Sequence, residues 1–171
     1  MANPLIVLSY DANWPGLFQS LRKRIADALG DMAAAIEHVG STAVPDLAAK
    51  PIIDIDVLLA SETMLPAAIE RLESLAYIHR GNLGIPEREA FLAPAHHPPH
   101  HLYVCPPCSG EFQRHKAFRD YLRAHPKDDK IYGDLKIALA KRFRENRPAY
   151  NTAKGEFVEE LTSRAIRYSE K

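Results

Sequence analysis

The sequence predicts an α+β (mixed α/β) fold: an N-terminal helix, a few short strands, and a helical C-terminal third. Three patterns carry that reading. Apolar residues recur at spacings of three and four near the N-terminus and again beyond about residue 109. Between those stretches lie short runs of strand-forming residues bounded by Gly and Pro. The chain has 171 residues, enough for one domain with a sizeable core. That single domain, 1–171, divides into a sheet core over about 31–108 and a helical part over about 109–171.

Taken in order, Leu5–Leu8 reads as a short extended segment. Asp11 or Asn13 would cap the first helix, Pro15 suits its first turn and Gly30 closes it. Its apolar stripe is Trp14, Leu17, Phe18, Leu21, Ile25, Ala28 and Leu29. Ala33–Val39 is the first core strand, against the helix propensity of its alanines. Ser41 or Thr42 would cap a turn of helix through Ala43–Ala49, broken by Pro45. Pro51 then starts the strand Ile52–Leu59, apolar almost throughout, as a strand buried on both faces would be. Ser61 or Thr63 caps a second helix with Leu65, Ile69, Leu72 and Leu75 on its apolar side. Tyr77–His79 is a short strand and residues 80–86 are a loop. Arg88–Leu92 and His100–Cys105 are strands that would pair as a hairpin across a long irregular connection. Three helices follow, marked by Phe112 to Leu122, by Tyr132 to Phe143, and by Phe157 to Tyr168.

Composition excludes several classes of function. There are 22 basic and 22 acidic residues, so nothing argues for bulk attraction to nucleic acid or to an anionic membrane. No apolar run reaches the roughly 18 residues of a membrane-spanning helix. Met1–Leu8 lacks a basic flank and a cleavage site, which speaks against a signal peptide. Cys105 and Cys108 are too few for a disulfide scaffold, and the chain reads as cytoplasmic. His96, His97, His100 and His101 lie near that C-x-x-C pair, but no second pair of zinc-ligand spacing follows, which weighs against zinc.

The chemistry concentrates at Gly40-Ser41 and Asp54-Ile55-Asp56. Side chains on a strand alternate with period two, so Asp54 and Asp56 share one face while Ile53, Ile55 and Val57 take the other. Two carboxylates in an apolar strand are costly unless paired or bound to metal. Carboxylates plus substrate phosphates are what Mg²⁺ prefers. The Gly-Ser turn would offer backbone N–H groups and a hydroxyl to those phosphates. The reaction such a site suits is nucleotidyl transfer, with a nucleoside triphosphate or other phosphorylated small molecule as ligand. Arg88 and Arg119, with Arg114 and His115, would neutralise triphosphate charge. Lys50 would sit near the phosphates, and Lys136 and Lys154 would reach the same cleft from the helices. His101 and Tyr103 share a strand face that would line the same pocket.

The run from His38-Val39-Gly40-Ser41-Thr42 through Lys50-Pro51-Ile52-Ile53-Asp54-Ile55 closely resembles the signature of the GrpB-like family. Tyr10-Asp11, Trp14-Pro15, His100–Val104, Phe118–Arg123 and Tyr150 through Val158 agree with it, so the resemblance covers nearly the whole chain. The family is placed in the nucleotidyltransferase superfamily, with DNA polymerase beta and the antibiotic nucleotidyltransferases. The resemblance implies a small mixed sheet flanked by helices, with C-terminal helices. It also implies that Gly40-Ser41 is the superfamily's phosphate turn and that Asp54 and Asp56 are its metal carboxylates for Mg²⁺ or Mn²⁺. Active members of the superfamily carry a third carboxylate on a later strand, and His100–Val104 has none. Either His101 takes its place as base or ligand, or the domain binds a nucleotide or phosphoryl ligand without turnover. Fusion of family members to dephospho-CoA kinase points such a module toward coenzyme A metabolism.

Overall fold

The computed structural model describes residues 5–170. The reading of the N-terminus as lacking a signal sequence rests partly on Met1–Pro4, which lie outside the described residues. Among the described residues, five α-helices and five strands occur in the order α1 (Trp14–Leu29), β1 (Ala33–Val39), β2 (Ile53–Leu59), α2 (Leu65–Glu73), β3 (Ile78–His79), β4 (Glu89–Leu92), β5 (His100–Cys105), α3 (Gly110–Ala124), α4 (Pro126–Arg142) and α5 (Arg147–Ser169). This is the α+β architecture that the apolar spacing predicts. The strands form one mixed sheet in the order β1-β2-β5-β4-β3. The β2–β5 pair is parallel and the other pairs are antiparallel.

Helix α1 buries Trp14, Phe18, Leu21, Ile25 and Leu29, the heart of its predicted stripe. Asn13 stands at its N-cap without a side-chain capping bond, and Asp11 instead accepts from the Asn13 backbone N–H at 2.8 Å. That stripe packs with Ala68 and Leu72 of α2 on Ile53, Ile55, Val57, Leu102 and Val104. One face of the sheet is therefore sealed by apolar burial, the main stabilising term for such a layer. The opposite face carries Glu37, Asp54, Asp56, His101 and Tyr103, which follows from strand alternation and the observed register. Helices α3 to α5 gather over that side around a second core of Val44, Leu47, Tyr121, Leu122, Tyr132, Leu161 and Ala165.

Two expectations are corrected. The helical turn after Gly40 is a 3₁₀ turn at Ser41–Ala43 and does not run to Ala49. Val44 is extended (φ −104°, ψ 117°) because the ring of Pro45 disfavours a helical residue before it. The cap is Gly40, with no side-chain bond from Ser41 or Thr42. Strands β2 and β4 each begin one residue later than expected, at Ile53 and Glu89. No described helix is long and apolar enough to cross a membrane.

Candidate active site

The site is built where β2 lies between β1 and β5. Asp54 is in register with His101 and Asp56 with Tyr103 across the parallel pair. On the other side, Glu37 is in register with Asp56. Each aspartate holds an imidazole. His101 Nδ1 lies 2.7 Å from Asp54 Oδ1, and His115 Nδ1, from α3, lies 2.7 Å from Asp56 Oδ2. Asp56 is fully buried, whereas the Asp54 side chain keeps 30% of its exposure. Burial pushes the Asp56 carboxyl above its usual range, against the pull of its His115 bond. Burial opposes charging of His115, but the hydrogen bond and charge of Asp56, with Glu111 and Asp54 behind it, raise its pKa overall. The pair therefore holds a proton more tightly than two separate side chains would.

Gly40 closes β1 at φ +70° and lies against the Asp54 carboxylate. The turn after it is fastened by His38, whose Nε2 shares a 2.9 Å hydrogen bond with Thr42 Oγ1. The His38 ring stacks on Phe18 at 4.7 Å, and burial takes its pKa down to about 4. That places neutral imidazole in a structural role. Lys136 Nζ of α4 donates to Ser41 Oγ at 2.8 Å.

Two cavities open on either side of Asp54 and share Ser41, Asp54, Tyr132 and Lys154. One, of about 270 Å³, gathers Lys50, Lys136, Arg147 and Lys154, with His101 at its wall. Its lysines are held uncomfortably. Burial, then Lys154, takes Lys136 down to about 7. Burial, then Arg147 and Lys154, takes Lys50 down to about 8. Burial also lowers Lys154, with Asp54 opposing. Tyrosine faces supply part of the balance: Lys136 lies 4.3 Å from the Tyr132 ring centre and Lys50 4.5 Å from that of Tyr150. The other cavity, of about 300 Å³, carries Arg88, Arg114, His115, Tyr103 and Phe118.

The structure thus brings together Gly40, Ser41, Lys50, Asp54 and His101, with Asp56 beside them on β2 and Arg88 in the adjoining cavity. It places Arg119 elsewhere. That side chain is buried and donates to Glu37 Oε2 at 2.6 Å, to Asp120 at 2.8 Å and to the His38 carbonyl at 2.9 Å. The glutamates nearest in sequence are also engaged away from Asp54. Glu87 accepts from Gly110 N at the start of α3, Glu89 pairs with His79, and Glu111 pairs with Arg114. The pairing of His115 with Asp56 and of Arg119 with Glu37 went unread in the sequence. The signal was there: Glu111, His115 and Arg119 are spaced by four, one stripe of α3 turned to the sheet. Arg147 and Tyr132 had no such signal.

Among the described residues no three His, Cys, Asp or Glu side chains converge as a preformed metal site. The two carboxylates nevertheless fit a divalent cation. Asp56 Oδ1 is buried with no hydrogen-bond partner among the described residues. An orphaned carboxylate oxygen beside a second carboxylate suits a hard cation that draws its other ligands from phosphate and water. Cys105 is buried, with its thiol pushed up to about 12 by that burial, while Cys108 is exposed.

The profile of the GrpB protein family matches residues 4–164. The chain belongs to the GrpB family. A UPF0157 protein of Pseudomonas aeruginosa is 38% identical over 164 residues, covering 94% of this chain and 67% of that one. For the UPF0157 protein YqkA of Bacillus subtilis, at 32% identity, the shares are 95% and 47%, so this GrpB chain spans under half of that relative. The crystal structure of the conserved protein GrpB from Enterococcus faecalis superposes with a TM-score of 0.90 at 29% identity, over 97% of this chain and 100% of that one. Cid1 poly(U) polymerase bound to MgATP superposes with a TM-score of 0.58 at 13% identity, over 85% of this chain and 50% of the polymerase. That likeness is one of fold: the sheet and helices are arranged as in the matched half of the polymerase. A dephospho-CoA kinase of Mycolicibacterium paratuberculosis matches in part, 36% identical over 83 residues, which is 42% of this chain and 20% of the kinase.

Proposed function

We propose that this GrpB chain is a metal-dependent nucleotidyltransferase that moves a nucleotide from a nucleoside triphosphate to a hydroxyl acceptor. The observation that carries the reading is the crowding of Lys50, Lys136, Arg147 and Lys154 around Ser41 and Asp54. Burial and mutual repulsion hold the three lysines below their ordinary pKa values, so an incoming polyphosphate would relieve a charge imbalance already present. Cid1 poly(U) polymerase, whose fold this chain shares, binds MgATP and a UTP analogue, which supports the same class of ligand.

In this reading Gly40 leaves room for Asp54, the turn at Ser41 faces the phosphates, and Lys50, Lys136 and Lys154 hold their charge. A Mg²⁺ or Mn²⁺ on Asp54 and Asp56 would neutralise charge on the transferring phosphoryl group. His101 is fixed through Nδ1 to Asp54 and keeps Nε2 for the acceptor. The acceptor oxygen bonds to the α-phosphorus, pyrophosphate leaves, and Nε2 takes the hydroxyl proton.

One observation favours a second reading. Strand β5 has no carboxylate in register with Asp54 or Asp56, only His101 and Tyr103. A module that holds a nucleotide or a coenzyme A precursor without turnover would need none. Two measurements separate the readings. Nucleoside triphosphate with Mn²⁺ raises the melting temperature of the wild type, and Asp54→Asn with Asp56→Asn abolishes the rise; no shift with any of the four triphosphates would overturn the transferase and the nucleotide-holding module, leaving only a module for a coenzyme A precursor. Pyrophosphate release with an acceptor then establishes transfer, and binding without release across a panel of hydroxyl acceptors leaves the module.

A further inference from the structure

We propose that the cavity beside Arg88 is the acceptor compartment, and that its ligand is a planar group bearing one phosphate or carboxylate. This rests on the reading of the lysine-lined cavity as the triphosphate site. The two cavities meet at Ser41, Asp54, Tyr132 and Lys154, so an acceptor held beside Arg88 reaches His101, at the wall of the lysine-lined cavity, past the Asp54 carboxylate that both share. Their walls differ in chemistry. The triphosphate side offers three lysines, which are point charges suited to a flexible phosphate chain. The other side offers two arginines and the rings of Tyr103 and Phe118 within about 300 Å³.

Arg88 is the least satisfied group there. Its guanidinium lies 4.2 Å from the Tyr103 ring centre, and its Nε is buried with no hydrogen-bond partner among the described residues. Stacking on the Tyr103 ring and a side-chain hydrogen bond to Tyr103 restrain the guanidinium, and the donors that remain are open to a planar or tetrahedral anion. Arg114 adds a second fork, held 3.2 Å from Glu111. Glu111 also lies 3.7 Å from His115 Nε2, so its one charge is divided between two cations. The only carboxylate among the lining residues is Asp54, the proposed metal ligand. Asp56 answers His115 from behind the wall, but the lining itself carries more cationic groups than carboxylates, together with aromatic walls. A neutral alcohol or a bare sugar would leave the arginines unpartnered, whereas an anionic planar group answers both features.

The test is titration calorimetry of the full chain with phenyl phosphate and with benzoate, and with benzyl alcohol as the neutral control. At least one anion binds, and which of them binds identifies the charged group. Arg88→Met and Arg114→Met each weaken it by about tenfold or more, the scale of a charged hydrogen bond lost. Lys136→Met weakens it far less, while reducing affinity for the Mn²⁺ triphosphate. In the unmodified chain, which guards against variants that fail to fold, the anion that binds moves the ring NMR signals of Tyr103. The proposal falls if neither anion binds, if benzyl alcohol binds as well, if Lys136→Met costs as much as Arg88→Met, or if the Tyr103 signals stay still. Anion binding that depends on Arg88, without any triphosphate binding, keeps this compartment and removes the nucleotide reading. Triphosphate binding without anion binding does the reverse.

Discussion

A Cβ placed on Gly40 would lie 2.9 Å from Asp54 Cγ, so the carboxylate reaches its position only because residue 40 has no side chain. The backbone there also requires glycine, with φ at +70°. Gly40→Ala is therefore expected to displace Asp54 as well as strain the turn. Destabilisation of about 1–3 kcal/mol in urea should accompany loss of the melting shift with Mn²⁺ and triphosphate. Gly16→Ala is the control, since a Cβ there meets nothing within 4 Å. It lies inside α1 and should stabilise by about 0.5–1 kcal/mol. A Gly40→Ala protein with unchanged ligand response would refute the close-approach account.

His115 compensates a carboxylate with no exposure at all. Removing it leaves the buried Asp56 carboxyl without its counter-charge, either charged and unpaired or forced to take up a proton. His115→Ala should cost about 3–5 kcal/mol, the scale of a broken buried pair. Adding Asp56→Asn to that variant should recover part of the loss, because the stranded charge is gone. Chemical denaturation of the two single variants and the double variant measures the coupling. Additive losses would show that the pair contributes nothing.

Lys136 gives a pH signature. Its pKa lies near 7 in the fold, against 10.5 when unfolded, chiefly through burial and then Lys154, with Asp129 and Asp54 opposing and Lys50 adding to the fall. Between those values the unfolded chain binds the proton and the folded chain does not, so this group's contribution to stability rises with pH through that window. Lys136→Met should exceed the wild type in stability at pH 6, by an amount on the order of a few kcal/mol, and the gap should close toward pH 10. Triphosphate affinity should change the other way, weakening as Lys136 loses its proton above about pH 7. Parallel melting curves from pH 6 to 10 would contradict this.

Arg119 acts through the fold. Its bonds to Glu37, Asp120 and the His38 carbonyl tie α3 to β1 just ahead of Gly40. Arg119→Met should destabilise by about 3 kcal/mol or more, since Glu37 is left beside Asp56 with no cation. Arg119→Lys should recover only part, because an ammonium cannot reproduce the guanidinium fork. Hydrogen exchange should show β1 opening more readily in both variants. Full retention of stability in Arg119→Met would remove the tie.

Much of the fold was legible because its elements are locally determined. The stripe of α1, the strands Ala33–Val39 and His100–Cys105, and the stop at His125-Pro126 follow from periodicity, propensity and proline, which act over a few residues. The turn after Gly40 is shorter than its alanines predict because the effect of Pro45 on Val44 outweighs their helix propensity. In the site, the shared face of Asp54 and Asp56 was legible from strand alternation alone. The partners of Arg119 were not, because they lie 81 and 82 residues back along the chain as well as next door.

By itself, then, the sequence determined the α+β plan, the Gly-Ser turn and the paired aspartates, since each depends on neighbours in the chain. The tertiary structure decided the charge. The chain is formally neutral, yet folding gathers Lys50, Lys136, Arg147 and Lys154 into one cavity and Arg88 and Arg114 into the next. It also gives Asp56 its histidine and leaves one of its oxygens without a partner. The physical reason is that Coulomb energy and desolvation depend on distance and burial in space, and neither can be read from separation along the chain.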